Sequence, residues 1–378
     1  MLQTHTMYEI LKTWIGKFIT IDLDYVLKGS FWQILRQIIN NLTSLIVAVL
    51  MARKLSQDVY GTYSYFQSVL GIVVLTSLPG MNGAVTQAVA KHEEAILLPA
   101  FWEKVKWSLL GTLACFGLAF YYLFNQQITL FYGLILMGLW FPIHFSPQLY
   151  EAYLHGKKQF KLTSIFESMY NIIGCIIFIG LTCISTNAVV YFGVYLALQA
   201  LLKLYYFYLT VKTLPKSKTT EVRKTLSYGR HLSFINIVST IASQIDRVLM
   251  FTFLGPVELA IYSLGILPIE KMLLLFSNIT ALALPKYAEK NLGQIKHSLF
   301  RHIGELMALG TFCVVLYWLM APFLFKLFFP KYLNSIFISQ ISMLALVTRL
   351  PSLLLNALGQ AKMTLFPKTY LYLSSIIP

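Results

Sequence analysis

Residues 30–52 read SFWQILRQIINNLTSLIVAVLMA, and two features of this stretch decide how the rest of the chain is understood. It is long and apolar enough to cross a bilayer, because about 20 helical residues at about 1.5 Å each span a hydrocarbon layer of roughly 30 Å. It also carries Gln33, Arg36, Gln37, Asn40 and Ser44 at three- and four-residue spacing, which gathers polar groups onto one helical face. Lipid cannot satisfy such a face, so the stripe predicts protein or a water-filled cavity beside it.

Working outward, apolar runs between charged or turn-rich breaks give spans at 30–52, 60–89 (interrupted at Pro79-Gly80), 105–124, 128–152, 161–184, 187–211, 231–254, 258–285, 299–328 and 333–358. An eleventh run starts at Phe366 and meets the chain end at Pro378, too short to cross, so about ten to eleven spans are expected and the second half reads as incomplete. Composition agrees: 57% of the 378 residues are hydrophobic and 12% charged, against roughly 45–50% and about 25% in soluble domains. Runs such as Leu42 to Ala52 and Leu130 to Phe141 are too continuously apolar for barrel strands. The fold class is an all-α polytopic membrane protein. Residues 1–29 mix Trp14, Phe18 and Leu23 with Lys12, Lys17, Asp22 and Asp24, the pattern of an interfacial amphipathic helix rather than a cleaved leader.

The net charge of +15 would point to nucleic acid in a soluble chain, but here topology explains it. With the N-terminus cytoplasmic, the inner segments collect most Lys and Arg, including Lys157, Lys158, Lys161, Lys104, Arg223 and Lys224. The outer ones hold only Arg53, Lys54, Lys326 and Lys331. No nucleic-acid partner is expected. Cys115, Cys175, Cys183 and Cys313 lie in apolar runs without metal or disulfide spacing and read as core residues. The short outer connections leave little room for a catalytic domain, and no GxxxxGK[ST] loop is present, so neither enzyme nor ATPase is expected and no cofactor is required.

The longest polar break, Thr213 to Gly229, divides the chain into a six-span bundle (30–212), a cytoplasmic linker (213–229) and a second bundle of four to five spans (230–378). A shift of 199 positions lays Val49-Leu50-Met51 on Val248-Leu249-Met250 and Tyr63-Ser64 on Tyr262-Ser263, which predicts parallel repeats with a site between them.

Charges inside spans are costly, about 2.5–3.5 kcal/mol each at the helix centre, and so are functional candidates. Arg36, Arg247, Lys271 and Arg349 fall at successive depths and predict a cationic ladder for an anion such as phosphate, with Asn40 beside Arg36 as a further substrate contact. The plainer alternative is internal pairing, for example of Lys271 or Arg349 with Glu270 or Asp246. Asp246 and Glu270 are also candidates for ion coupling. Lys203 is expected to snorkel to the interface near Lys212, and Glu151 and Glu167 to be interfacial. His144, Gln148, Glu151 and His155 recur on the fourth span and read as a polar lumen face rather than a metal site. Prolines 142, 147, 268, 322 and 351 should kink their helices and free carbonyls that need other partners.

Several segments resemble the Wzx-type polysaccharide flippases of the multidrug/oligosaccharidyl-lipid/polysaccharide exporter superfamily. They are Lys28-Gly29-Ser30-Phe31-Trp32, Ala52-Arg53-Lys54-Leu55, Tyr60-Gly61-Thr62-Tyr63, Tyr228-Gly229, Gln244-Ile245-Asp246-Arg247, Phe253-Leu254-Gly255 and Ala260-Ile261-Tyr262-Ser263. The resemblance implies a bacterial inner-membrane protein that flips undecaprenyl-pyrophosphate-linked oligosaccharides for O-antigen, capsule or exopolysaccharide synthesis by alternating access. Its partners would be that lipid-linked glycan, the bilayer, and the polysaccharide polymerase and chain-length machinery. Two rivals are weighed against it. A gradient-driven exporter of drugs or other amphiphiles would have a more apolar or acidic cavity. A glycan polymerase or ligase would have a large outer loop.

Overall fold

The computed structural model describes residues 23–215, 222–235, 237–289 and 292–362, with side chains described for 31–215, 222–235, 237–276 and 301–355. The predicted amphipathic segment before Leu23 and the run from Phe366 lie outside the described residues. Fourteen α-helices follow one another: α1 Leu23–Lys54, α2 Gln57–Val73, α3 Met81–Ala90, α4 Leu97–Phe124, α5 Ile128–Phe145, α6 Leu149–Gly156, α7 Phe160–Ile184, α8 Ala188–Lys212, α9 Val222–Ile235, α10 Ile237–Ala242, α11 Ile245–Leu254, α12 Pro256–Glu289, α13 Leu292–Phe328 and α14 Ser335–Lys362. Nine stretches among the described residues are long and apolar enough to cross a membrane. The bent run Gln57–Ser77 plus Met81–Ala90 brings the number to ten, as the hydropathy pattern predicts.

Helix starts follow local chemistry. The Ser56 hydroxyl accepts from the Val59 amide at 3.3 Å to open α2, and the Asn187 side-chain Oδ1 accepts from the Val189 amide at 2.9 Å to open α8. Leu78, at φ 53°, breaks the helix before Pro79, and α3 leaves α2 at 50°. Gly255, at φ 91°, separates α11 from α12. The 199-residue shift carries Gln57, first in α2, onto Pro256, first in α12, so the helix boundary repeats as well as the sequence. From Val222 the segment expected to be a linker is already helix.

The helices are inside out relative to a soluble protein. On α4 the buried row is Ala100, Lys104, Ser108, Gly111, Cys115 and Ala119, while Trp102, Leu109, Leu113, Phe120 and Phe124 are exposed. The same holds for α1, where Phe31, Ile34, Ile38, Leu42 and Ile46 are exposed and the polar stripe is half-buried on the other side. Apolar surface outward and small or polar residues inward is what lipid as solvent selects.

Two compact units result: Gly29–Ser263 in one, and Leu264–Pro378 with Met1–Lys28 in the other. In the first, one core gathers Leu78, Met81, Leu97, Leu149, Tyr150 and Phe207, and another gathers Tyr65, Phe66, Leu134, Phe141, Phe192 and Leu259. Tyr65 stacks on Phe251 at 4.0 Å and shares a 2.7 Å hydrogen bond with the Tyr122 hydroxyl. Two close approaches join the second span to its neighbours, one at the start of α12 and one within α9. A Cβ on Gly61 would lie 1.7 Å from the Pro256 carbonyl oxygen, and one on Gly80 would lie 2.4 Å from the Ser233 amide nitrogen. The Gly80 amide also donates to the Ser233 hydroxyl at 3.0 Å. In the second unit α12, α13 and α14 meet around Ile269, Val314, Met343, Leu346 and Leu350.

Two intrahelical prolines show how the freed carbonyls are satisfied. Pro142 cannot donate to the Gly138 carbonyl, which accepts instead from Thr112 of α4 at 3.0 Å. Pro322 cannot donate to the Trp318 carbonyl, which accepts from the Gln340 amide of α14 at 3.2 Å, while the Trp318 indole donates back to the Gln340 carbonyl at 2.8 Å. Each freed carbonyl is thus met by a side chain from the neighbouring helix.

Candidate functional site

The polar stripe of α1 faces protein. Arg36 donates to Glu167 of α7 at 2.6 Å, with 24% and 15% of the two side chains exposed. One turn earlier, Trp32 lies beneath the Lys161 ammonium of the same helix, 5.2 Å from ring centroid to nitrogen. Glu167, expected near the interface from its position in the helix, is the partner of the Arg36 guanidinium. Glu151 lies within electrostatic reach of Glu167, Lys203 and Lys104.

Two lysines depart from expectation in the same way. Lys203 does not snorkel: it is 5% exposed, its Nζ lies 3.4 Å from His144 Nε2, and it sits 5.9 Å from the Phe145 ring. Lys104, counted among the inner loop charges, is buried inside α4 and donates to Asn82 of α3 at 3.0 Å. The row of His144, Gln148, Glu151 and His155 is split by the break between α5 and α6, with His144 turned toward Lys203. Cys183 is exposed rather than in the core, while Cys115 and Cys175 are buried.

Higher on α1, Asn40 and Ser44 line a cavity of about 360 Å³ enclosed by α1, α2, α7 and α8. Four residues with side-chain amides line it, Asn40, Gln67, Asn171 and Gln199, together with Tyr60, Tyr63, Tyr170 and Tyr195 and the small hydroxyl residues Thr43 and Ser44. The Gln67 amide donates to the Tyr63 hydroxyl at 2.9 Å, and Gln67 and Gln199 both approach the Tyr195 hydroxyl. Of the polar stripe read on the first span, Asn40 and Ser44 are on this wall, and the amides of the other three helices went unnoticed. Their signal was faint: Gln67 and Gln199 are lone polar residues in apolar runs, without a periodic stripe to mark them.

Asp246 opens α11. One of its oxygens accepts from the Arg247 amide at 2.8 Å and the other from the Tyr262 hydroxyl of α12, and both Asp246 and Arg247 are half-buried. Lys271 and Glu270 are neighbours on α12, in electrostatic contact, with Lys271 half-buried and Glu270 exposed. Arg349 is exposed on α14. Arg36 and Arg247 belong to the first compact unit, and Lys271 and Arg349 to the second. The sequence also spaces Asn236, Thr240, Ser243 and Arg247 along the seventh span, and Ser342, Arg349, Ser352, Asn356 and Gln360 along the tenth, as polar stripes; the side chains of Asn236, Asn356 and Gln360 lie outside the described residues.

Among the described residues, an all-helical fold with nine or ten candidate spans, apolar faces outward and the Arg36–Glu167 pair within defines a multi-pass membrane protein. A family model described as "Polysaccharide biosynthesis protein" matches residues 26–284, more than half of the sequence, and the chain belongs to that family. The fold is similar to that of a multidrug resistance MATE family transporter of the MOP superfamily solved inward-facing, at a TM-score of 0.57 and 15% identity, covering 86% of this chain and 80% of that one. A crystal structure of MATE in complex with MaD5 is similar at a TM-score of 0.52 and 15% identity, covering 90% and 86%. No curated protein matches the chain in a sequence comparison.

Proposed function

We propose that the protein flips an undecaprenyl-pyrophosphate-linked oligosaccharide across the bacterial inner membrane, feeding O-antigen, capsule or exopolysaccharide synthesis. The observation that carries this reading is the family match over residues 26–284, a polysaccharide biosynthesis family, on a chain built to sit in lipid. In this reading the N-terminus is cytoplasmic and two bundles, 30–212 and 230–378, alternate in access around the segment 213–229. Arg247, Lys271 and Arg349 attract the pyrophosphate, Arg36 and Asn40 border its path, and Asp246 and Glu270 couple the step to an ion gradient. The protein works as a carrier rather than an enzyme, and hands its cargo to the polymerase and chain-length machinery.

The test uses inverted vesicles carrying the full chain and a labelled undecaprenyl-pyrophosphate oligosaccharide. Protein-dependent movement of label into a compartment protected from added glycosidase is the expected result, with loss in Arg247→Ala and in Arg349→Ala at unchanged protein level. Equal protection in vesicles without the protein overturns the reading, and full activity of the combined Arg247→Ala and Arg349→Ala variant overturns the cationic path.

A further inference from the structure

We infer that the cavity between α1, α2, α7 and α8 is a binding site for an uncharged sugar ring. The inference deepens the flippase reading and rests on it for the source of that sugar.

Its lining decides the chemistry. Among the described residues no Asp, Glu, Lys, Arg or His is on the wall, so neither a metal cation nor a phosphate finds a counter-charge there. Four amides and four tyrosine hydroxyls do line it, and each amide presents both donors and an acceptor. A ligand that fits must be neutral, offer donors and acceptors on all sides, and still tolerate the aromatic surface. A pyranose does this: its hydroxyls pair with amides while its C–H face lies on a tyrosine ring. An amphiphilic drug would leave the four amides facing hydrocarbon, a cost of about 1–3 kcal/mol for each unmet polar group.

The wall is preorganised on one side and open on the other. The bond from Gln67 to Tyr63 fixes that hydroxyl, and the Tyr63 ring is wedged edge-on against Phe178 and Phe192, with centroids 6.4 and 6.3 Å away. Across the cavity the amides of Asn40 and Asn171 make no hydrogen bond to protein among the described residues. A volume of about 360 Å³ falls at the lower end of the roughly 300–1,000 Å³ typical of small-molecule sites, a size suited to a mono- or disaccharide.

The experiment is saturation-transfer NMR on the purified full chain in nanodiscs, with the methyl glycosides of glucose, galactose and N-acetylglucosamine as probes. Inorganic pyrophosphate and tetraphenylphosphonium act as competitors of other charge. Transfer to at least one glycoside is expected, undiminished by either competitor. Asn171→Leu and Gln199→Leu should each weaken it about fivefold, the loss of one hydrogen bond, while thermal unfolding in detergent shows both variants folded. Absence of transfer to all three glycosides, equal transfer in both folded variants, or displacement by tetraphenylphosphonium overturns the proposal. The vesicle assay separates this site from the flippase reading. If wild type fails to translocate yet binds sugar through these amides, the flippase reading falls and the site stands. If it translocates but neither variant alters sugar binding, the site falls alone.

Discussion

The guanidinium of Arg36 and the carboxylate of Glu167 meet at 2.6 Å across 131 positions of sequence, joining α1 to α7 inside the membrane-spanning part of the chain. Pairing turns a charge that lipid would reject into a neutral, directional clasp. It also places a structural demand on Arg36 in addition to the role proposed for it in transport.

The two roles part in a charge swap. Arg36→Glu and Glu167→Arg should each lower stability by about 2 kcal/mol, between the values for exposed and fully buried pairs. The combined Arg36→Glu/Glu167→Arg protein should recover most of that loss in a thermal unfolding measurement, giving a positive coupling in the double-mutant cycle. If translocation returns along with stability, Arg36 serves only the clasp. If stability returns alone, its position on α1 matters to the cargo.

A second cycle reads the kink in α13. Gln340→Leu leaves the Trp318 carbonyl without its donor and should cost about 1–3 kcal/mol. Adding Pro322→Ala restores an intrahelical donor for that carbonyl, so Gln340→Leu should cost less in the Pro322→Ala background than in the native one. Equal costs in both backgrounds would show that Gln340 does not act through the kink.

Asp246→Asn tests ion coupling without dismantling the local structure. The amide oxygen can still accept from the Tyr262 hydroxyl or the Arg247 amide, so unfolding temperature should shift little. Translocation driven by an imposed proton or sodium gradient should fall to the level seen without a gradient. A variant that keeps its full gradient response would remove Asp246 from the coupling role.

The spans, the break at Pro79-Gly80 and the polar stripe of α1 were legible because each is a local pattern: run length, a helix breaker, a three-to-four periodicity. The partners were not. Nothing in the sequence joins Arg36 to Glu167, because only the packing of α1 on α7 brings them together. Lys203 shows a subtler failure. Distance from Lys212 allowed a reach to the interface, but direction forbade it, since Lys203 continues the buried row Leu196, Ala200 and Phe207 while Leu201, Leu204, Tyr205 and Tyr208 are the exposed side. Reading that row by face rather than by depth would have placed it inside. Lys104 was misread for the same reason, in the buried row of small residues on α4.

The close approaches at Gly61 and Gly80 have a mechanical consequence. The second span is broken at Leu78 and the seventh at Ser243-Gln244, and the two run together, α2 against α11 and α3 against α9. Backbone approaches backbone on either side of the bend, Gly61 at Pro256, just past the end of α11, and Gly80 at Ser233 of α9. Two jointed rods riveted at both ends flex as a single leaf spring. Neither can straighten alone, and any side chain added at position 80 would push the two apart at the joint.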